Sequence, residues 1–165
     1  MKINRVLLRD GVPSVIEEEV DFSSATFDPS HIRRIDKCLV TATAVDYGEL
    51  LTVSLKINAT VIAVCSYSLE DVELKLKISD DITFSDDEED VDNYYEKGPI
   101  IDLDPYILGI LLANVPVRVV KKGAKMPENG DGFRVLSEDD YLQEQSTKKD
   151  SRWDKLDSVE ISDDD

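Results

Sequence analysis

The sequence is poor in the residue types that build most metal and redox sites. Among 165 residues it has one histidine, His31, and two cysteines, Cys38 and Cys65. This set falls short of a four-ligand zinc site, and two cysteines are too few for a disulfide scaffold of this size. Ser68 stands where a C-x-x-C pair would need a second thiol. We therefore expect both cysteines to be buried, metal-free side chains.

The sequence also lacks the motifs of the common catalytic classes. It has no phosphate loop, no G-x-G-x-x-G, no H-E-x-x-H and no G-x-S-x-G. We predict no catalytic residue, no metal and no cofactor. A carboxylate-based hydrolase is an alternative, but it would need two inward-facing acids in a deep pocket, one of them with a raised pKa.

Long hydrophobic runs are absent as well. No apolar stretch reaches the roughly 18 residues that a membrane-spanning helix needs. Near the start of the sequence, Arg9 and Asp10 interrupt the apolar run before a signal-peptide core could form. These features lead us to expect a cytoplasmic protein that makes no contact with membranes.

Charge of one sign dominates the sequence. There are 36 acidic and 19 basic residues, a formal net charge of −17, and a uniformly acidic surface repels nucleic-acid phosphates. Residues 105–136, however, carry 5 bases and only 2 acids. A local basic patch can act despite distant acids, because the Debye length in physiological salt is about 8 Å. We therefore predict that RNA or partner contacts are made here, by Arg118, Lys121, Lys122 and Lys125.

The pattern of apolar residues predicts an α+β fold. Residues 37–45, 50–65 and 72–79 are rich in β-branched residues and alternate apolar with polar side chains, as half-buried strands do. We predict an antiparallel meander of roughly five strands, covered by one main helix, with short C-terminal helices. Asp104 is placed to cap the main helix, Pro105 suits its first turn, and Pro116 ends it.

The charge pattern also suggests how the chain is divided. We predict a single α+β domain over residues 1–136 and a peripheral helical segment with an acidic tail over 137–165. Within the domain, residues 85–98 form an acidic loop. Residues 85–97 alone hold seven acids, so like-charge repulsion predicts that this loop is mobile.

Three short motifs, in this order, resemble those of a known family, the YceD or large-ribosomal-RNA-subunit accumulation proteins. The resemblance covers roughly residues 15 to 158 and is closest to the Firmicute and mollicute branch. The first motif is carried by Cys65, Leu69 and Glu70, the second by Asp102, Pro105 and Pro116, and the third by Asp150, Arg152 and Leu156.

The sequence departs from the family pattern at several positions. Tyr67 replaces an arginine, Ser68 replaces a cysteine or threonine, and Ser151 stands where proline is usual. Many members also carry a cluster of cysteines after the second motif, whereas this sequence has residues 121–132 there, without cysteine. No metal site is therefore carried over from the family.

The resemblance implies a non-enzymatic bacterial protein that supports the synthesis, processing or stability of 23S ribosomal RNA. The expected partners are large-subunit ribosomal proteins or rRNA-processing proteins, with 23S rRNA precursor touched through the local basic segment. No small-molecule substrate is expected. The alternative function is an acidic protein-interaction adaptor or nucleic-acid mimic unrelated to ribosomes.

Overall fold

Three strands of 15 residues each form the centre of the fold. The structure is a computed structural model that describes residues 1–128 and 130–147. It contains two compact units, residues 1–124 and residues 125–165. The strands of the first unit are β1 (Lys2–Asn4), β2 (Ser14–Glu19), β3 (Ile32–Asp46), β4 (Leu50–Val64), β5 (Asp71–Ser85), β6 (Tyr94–Tyr95) and β7 (Ile100–Asp102), and its helix is α1 (Asp104–Asn114).

The main sheet has the order β2-β3-β4-β5-β6. Strands β2 to β5 form an antiparallel meander, as the sequence predicts. The prediction of a purely antiparallel sheet is wrong, because β6 runs parallel to β5. The ring of Tyr94 in β6 lies 5.0 Å from the ring of Tyr106 and 6.2 Å from that of Phe84, and this aromatic packing holds β6 in place. Outside the main sheet, β1 pairs with β7.

One face of the main sheet forms the core. Strand β4 alternates as predicted, and the side chains of Leu51, Val53, Leu55 and Ile57 are buried on the core face. Burying one such side chain stabilises a fold by about 1.5–3 kcal/mol. The opposite face of β4 carries polar side chains, so the alternation decides which face meets water.

Helix α1 contributes Ile107 and Leu111 to the core. Pro105 lies in its first turn, and the helix ends two residues before Pro116, as predicted. The prediction that Asp104 caps the helix is wrong, because the N-cap position is Leu103, which makes no side-chain cap hydrogen bond. Instead Asp102 Oδ1 accepts from the Asp104 backbone N–H at 3.1 Å. The carboxylate that serves the helix start thus lies two residues earlier than predicted.

The acidic loop is tied to the rest of the first unit at its beginning. The Asp86 N–H donates to the Glu49 carbonyl at 3.1 Å, and the Arg5 guanidinium contacts Asp86 at 2.6 Å. Within the loop, Asp87 and Asp90 side chains accept from backbone N–H groups two residues later. Near the other end of the loop, Tyr94–Tyr95 form β6 and pair with β5. The mobility of the residues between these two attachments stays a prediction.

The second unit contains α2 (Glu138–Thr147). Ser137 Oγ accepts from the Asp140 N–H at 3.0 Å, so the helical start expected at Ser137 is present. The predicted domain boundary between residues 136 and 137 stays a prediction. Within the described parts of the chain, no helix is long and apolar enough to cross a membrane.

Candidate functional site

The first family motif forms the turn that joins β4 to β5. In this turn, the Cys65 N–H donates to the Glu70 carbonyl at 2.8 Å, and the Leu69 N–H donates to the Cys65 carbonyl at 3.0 Å. Leu69 has a φ of 59°, in the left-handed region that a branched side chain rarely adopts. Its side chain is 70% exposed. The turn therefore holds an apolar side chain out into solvent at a cost in backbone strain.

The basic segment predicted from the sequence packs against this turn. The Ser66 N–H donates to the Val119 carbonyl at 2.7 Å, and the Lys121 N–H donates to Cys65 Sγ at 3.3 Å. Val119 is buried. We call residues 65–70 and 118–121 together the docked turn. The docked turn joins the first family motif to residues 118–121, which follow the second family motif.

The thiol of Cys65 lies at the centre of the docked turn. The residue is buried, as predicted. Its sulfur accepts from the N–H groups of Lys121 and, at 3.4 Å, Ser68. These donors, chiefly the Lys121 N–H and then the groups of Ser68, lower the pKa of Cys65 to about 6. The hydrogen bonds to the sulfur therefore favour the thiolate form of this buried cysteine.

Cys38 is also buried, but its surroundings act in the opposite direction. Burial, and then the charges of Asp104 and Glu19, raise its pKa to about 11. Within the described residues, no group of three or more histidine, cysteine, aspartate or glutamate side chains is placed to hold a metal ion.

Two side chains of the basic segment already have partners in the docked turn. Lys121 Nζ lies 3.1 Å from Glu70 Oε2, and Ser68 Oγ donates to the same oxygen at 3.1 Å. These contacts, that with Lys121 first, lower the pKa of Glu70. The guanidinium of Arg118 lies over the Tyr67 ring, 5.1 Å from its centre, and donates to the Tyr67 hydroxyl.

These contacts change the interpretation of the predicted cation cluster. The sequence analysis treated residues 105–136 as rich in unbalanced positive charge, but Lys121 is paired with an acid 51 positions away in the sequence. Lys122 is exposed and precedes the turn at Gly123, whose φ is 83°. Lys125 is the first residue of the second compact unit. The role of these cations in RNA or partner contact stays a prediction.

The remaining motif residues lie in other places. Asp102 and Pro105 lie at the start of α1, and Pro116 follows its end. Pro116 lines a shallow apolar hollow with neighbours from α1, from the residues after it and from the start of β3. Asp150, Arg152 and Leu156 lie outside the described residues.

No local sequence pattern predicts the partners of the docked turn. Tyr67 and Glu70 meet cations 51 residues away, and no short pattern encodes such a pairing. One local signal exists for the thiol. Ser68 follows Cys65 by three residues in a turn after a strand, and this spacing suits a hydrogen bond from the Ser68 N–H to Cys65 Sγ.

The docked turn and α1 both lie within a stretch shared with known proteins. Residues 53–159 match the family described as "Large ribosomal RNA subunit accumulation protein YceD". The chain belongs to the YceD family. It is also 29% identical over 133 residues to "Uncharacterized protein YlbN" of Bacillus subtilis (strain 168), an alignment that covers 75% of this chain and 77% of the relative. No solved structure matches the chain.

Proposed function

We propose that this protein supports the accumulation of large-subunit ribosomal RNA in the bacterial cytoplasm, and that it does so by binding. The match of residues 53–159 to the YceD family carries this proposal. The matched region contains the whole docked turn and all of α1. The supported step is the synthesis, processing or stability of 23S rRNA.

The chemistry of the docked turn suits binding better than catalysis. The Cys65 sulfur and the Glu70 carboxylate accept hydrogen bonds from groups of the turn itself. These bonds stabilise the charged forms of both groups, and the lowered pKa of Glu70 makes its carboxylate a weak general base. The function of these groups in our proposal is to fix the shape of the turn that presents Leu69.

Partner contact is proposed at Arg118, Lys121, Lys122 and Lys125, and Leu69 is proposed as an apolar anchor in the docked turn. The docked turn contains both an exposed leucine in a strained conformation and the cations Arg118 and Lys121, so it offers both apolar and charged contacts. With a net charge of −17, the protein favours basic ribosomal or rRNA-processing proteins as partners.

The acidic loop favours a second candidate function, an acidic adaptor or nucleic-acid mimic. Asp86, Asp87 and Asp90 line a shallow hollow with Glu49 near one end of the sheet. Such a concentration of carboxylates would attract a basic partner whether or not that partner is ribosomal.

Depletion of the protein tests the proposal. We expect the ratio of 23S to 16S rRNA to fall, and the protein to cofractionate with large-subunit precursors on a sucrose gradient. Re-expression of the intact chain should restore the ratio. An unchanged ratio, together with sedimentation apart from ribosomal particles, would reject the ribosomal function and favour the adaptor.

A further inference from the structure

The solvent face of the main sheet carries an unusual concentration of lysine. In the register of β3, β4 and β5, three outward positions from each strand form a grid of nine. Four of these residues are lysines and none is acidic. The nine residues are Lys37, Leu39 and Thr41 of β3, Lys56, Asn58 and Thr60 of β4, and Lys75, Lys77 and Ser79 of β5. We call this set the lysine face.

The lysine face is open to solvent and its charge is poorly balanced. All four lysines are exposed. Lys75 lies 3.3 Å from Glu73, one outward position along its own strand. The other three lysines, Lys37, Lys56 and Lys77, form no ion pair with any described residue. In a protein with a net charge of −17, three unpaired lysines on one open face are a marked local departure.

Acids border the lysine face, and one of them contacts it, because the Thr41 hydroxyl donates to Glu17 Oε1 at 3.5 Å. Glu17 and Glu19 lie on the outward side of the edge strand β2, and Glu19 pairs in register with Leu39. Glu73 and Asp81 occupy the outward positions of β5 immediately before and after the three positions of the grid. These acids lie about 5–7 Å from the edges of the grid, within the Debye length of about 8 Å. They therefore offset positive charge at its edges, and the positive region lies in the middle of the sheet. A polyanion would therefore be steered to one place on the surface.

The chemistry of the face favours phosphate groups as its ligand. Lysine ammonium groups bind phosphates as point charges, and the hydroxyl and amide groups of Asn58, Thr60 and Ser79 add hydrogen-bond donors. Strands are spaced by about 4.8 Å and residues along them by about 3.3 Å, so the grid spans about 10 Å by 13 Å. None of its nine residues is aromatic, so it offers no platform for stacking unpaired bases.

The geometry points to the lysine face as a docking surface for the phosphate backbone of base-paired RNA. A lysine-bearing sheet surface without aromatic rings contacts backbone charge and shape, which is how double-stranded RNA is recognised. We identify that RNA as a segment of large-subunit precursor, and this identification rests on the proposed function. It adds to that function a contact surface separate from the docked turn.

A binding titration with the full chain tests this inference. The probe is a fluorescent RNA duplex of about 20 base pairs, and anisotropy is measured over a range of salt concentrations. The test variant is Lys37→Gln/Lys56→Gln/Lys77→Gln. The matched control, Lys2→Gln/Arg9→Gln/Lys97→Gln, changes the net charge equally but lies off the lysine face.

We expect the test variant to bind the duplex about tenfold or more weakly, with the slope of log affinity against log salt reduced by about three. The control should keep an affinity within about twofold of wild type, since it loses no phosphate contact. Thermal unfolding followed by circular dichroism should give similar midpoints for all three proteins, because the exchanged side chains are exposed.

Several outcomes would overturn the inference. One is a wild-type protein that does not bind the duplex, or a control that loses as much affinity as the test variant. Another is tighter, lysine-dependent binding of the unpaired strand. A polyglutamate peptide that binds the face while the duplex does not would make it a surface for acidic proteins.

Depletion and the duplex-binding titration, taken together, separate this inference from the proposed function. If depletion lowers 23S rRNA but the test variant binds duplex normally, the surface is wrong and the function stands. If duplex binding depends on the lysine face but depletion leaves 23S rRNA unchanged, the surface stands and the ribosomal function is wrong.

Discussion

The two ends of the main sheet are closed in different ways. At one end, in the docked turn, the segment after α1 is held by two backbone hydrogen bonds: the Lys121 N–H donates to Cys65 Sγ, and the Ser66 N–H donates to the Val119 carbonyl. At the other end, the Arg5 guanidinium contacts Asp46 at 3.0 Å and Asp86 at 2.6 Å, and also donates to the Gly48 carbonyl. We call these the Cys65 end and the Arg5 end.

The Arg5 end and the Cys65 end differ in the number of groups that hold each one together. At the Arg5 end, a single side chain, only 9% exposed, joins three separate parts of the chain. The hydrogen bond to Asp46 is the largest cause of the raised pKa of Arg5 and of the lowered pKa of Asp46. At the Cys65 end, backbone hydrogen bonds and the exposed Lys121–Glu70 ion pair act together, and each of them is weaker. Loss of one group should therefore cost far more at the Arg5 end.

The largest expected effect comes from Arg5→Gln. Removing the guanidinium leaves Asp46 and Asp86 close together without a cation, and breaking such a pair is costly. Because Asp86 is 39% exposed, water offsets part of the loss, and we expect a destabilisation of about 2 kcal/mol. Urea denaturation measures it. Arg9→Gln, on an exposed arginine nearby in sequence, is the control and should change stability by less than about 0.5 kcal/mol.

The same contacts predict an acid dependence. The pKa of Asp46 is lowered in the folded protein, so its contribution to stability is present above its ordinary pKa of 3.8 and is lost as the pH falls through the lowered value. Arg5→Gln should reduce this acid sensitivity. An equal loss of stability on acidification in both proteins would contradict the assignment.

The two cysteines should titrate about five pH units apart, since the pKa of Cys65 is about 6 and that of Cys38 about 11. Thiolate absorbance in the ultraviolet measures both. Cys65→Ser should remove the lower transition and Cys38→Ser the upper one. A single transition near the ordinary value of 9.0 would show that the N–H groups do not stabilise the Cys65 thiolate.

The two shifts have opposite consequences for stability. Cys65 has a lowered pKa, so its contribution is present above pH 9 and is lost as the pH falls through about 6. Cys38 has a raised pKa, so its contribution is present below pH 9 and is lost as the pH rises through about 11. Unfolding of the two serine variants across this range separates the contributions.

Leu69→Gly should stabilise the Cys65 end. Glycine adopts a φ of 59° without the steric cost that leucine bears, and this gain exceeds its greater loss of chain entropy by about 0.5 kcal/mol. Leu69→Ala keeps a Cβ atom and is the control, with no expected gain. If Leu69 anchors a partner, both variants should weaken cofractionation with large-subunit precursors.

The smallest effect on folding is expected from Lys121→Gln. Lys121 and Glu70 are 46% and 59% exposed, and such pairs contribute less than about 0.5 kcal/mol. The backbone N–H that reaches Cys65 Sγ is retained in this variant. Thermal unfolding alongside Arg5→Gln compares the two ends directly. A loss as large as that of Arg5→Gln would mean that the ion pair, and not the backbone, holds the docked turn.

Much of the first unit follows from local sequence patterns. The alternation around Leu55 and Ile57 predicted β4 and its buried face, and the two prolines predicted where α1 begins and ends. The cap at Asp104 could not be fixed in this way, because a one-residue change in the helix start exchanges the roles of Asp102, Leu103 and Asp104. The candidate site was found in part, since its motif residues were named but their contacts were not.

The sequence by itself determined β4, the central parts of β3 and β5, the main helix and the family, because side-chain alternation, proline and short ordered motifs are local properties. Only the tertiary structure decided the parallel pairing of Tyr94–Tyr95 with β5, the contact between Lys121 and Cys65, and the closure by Arg5. It also decided that lysines from three strands share one face. These features depend on strand register and on contacts between residues far apart in the chain, and no local pattern encodes either.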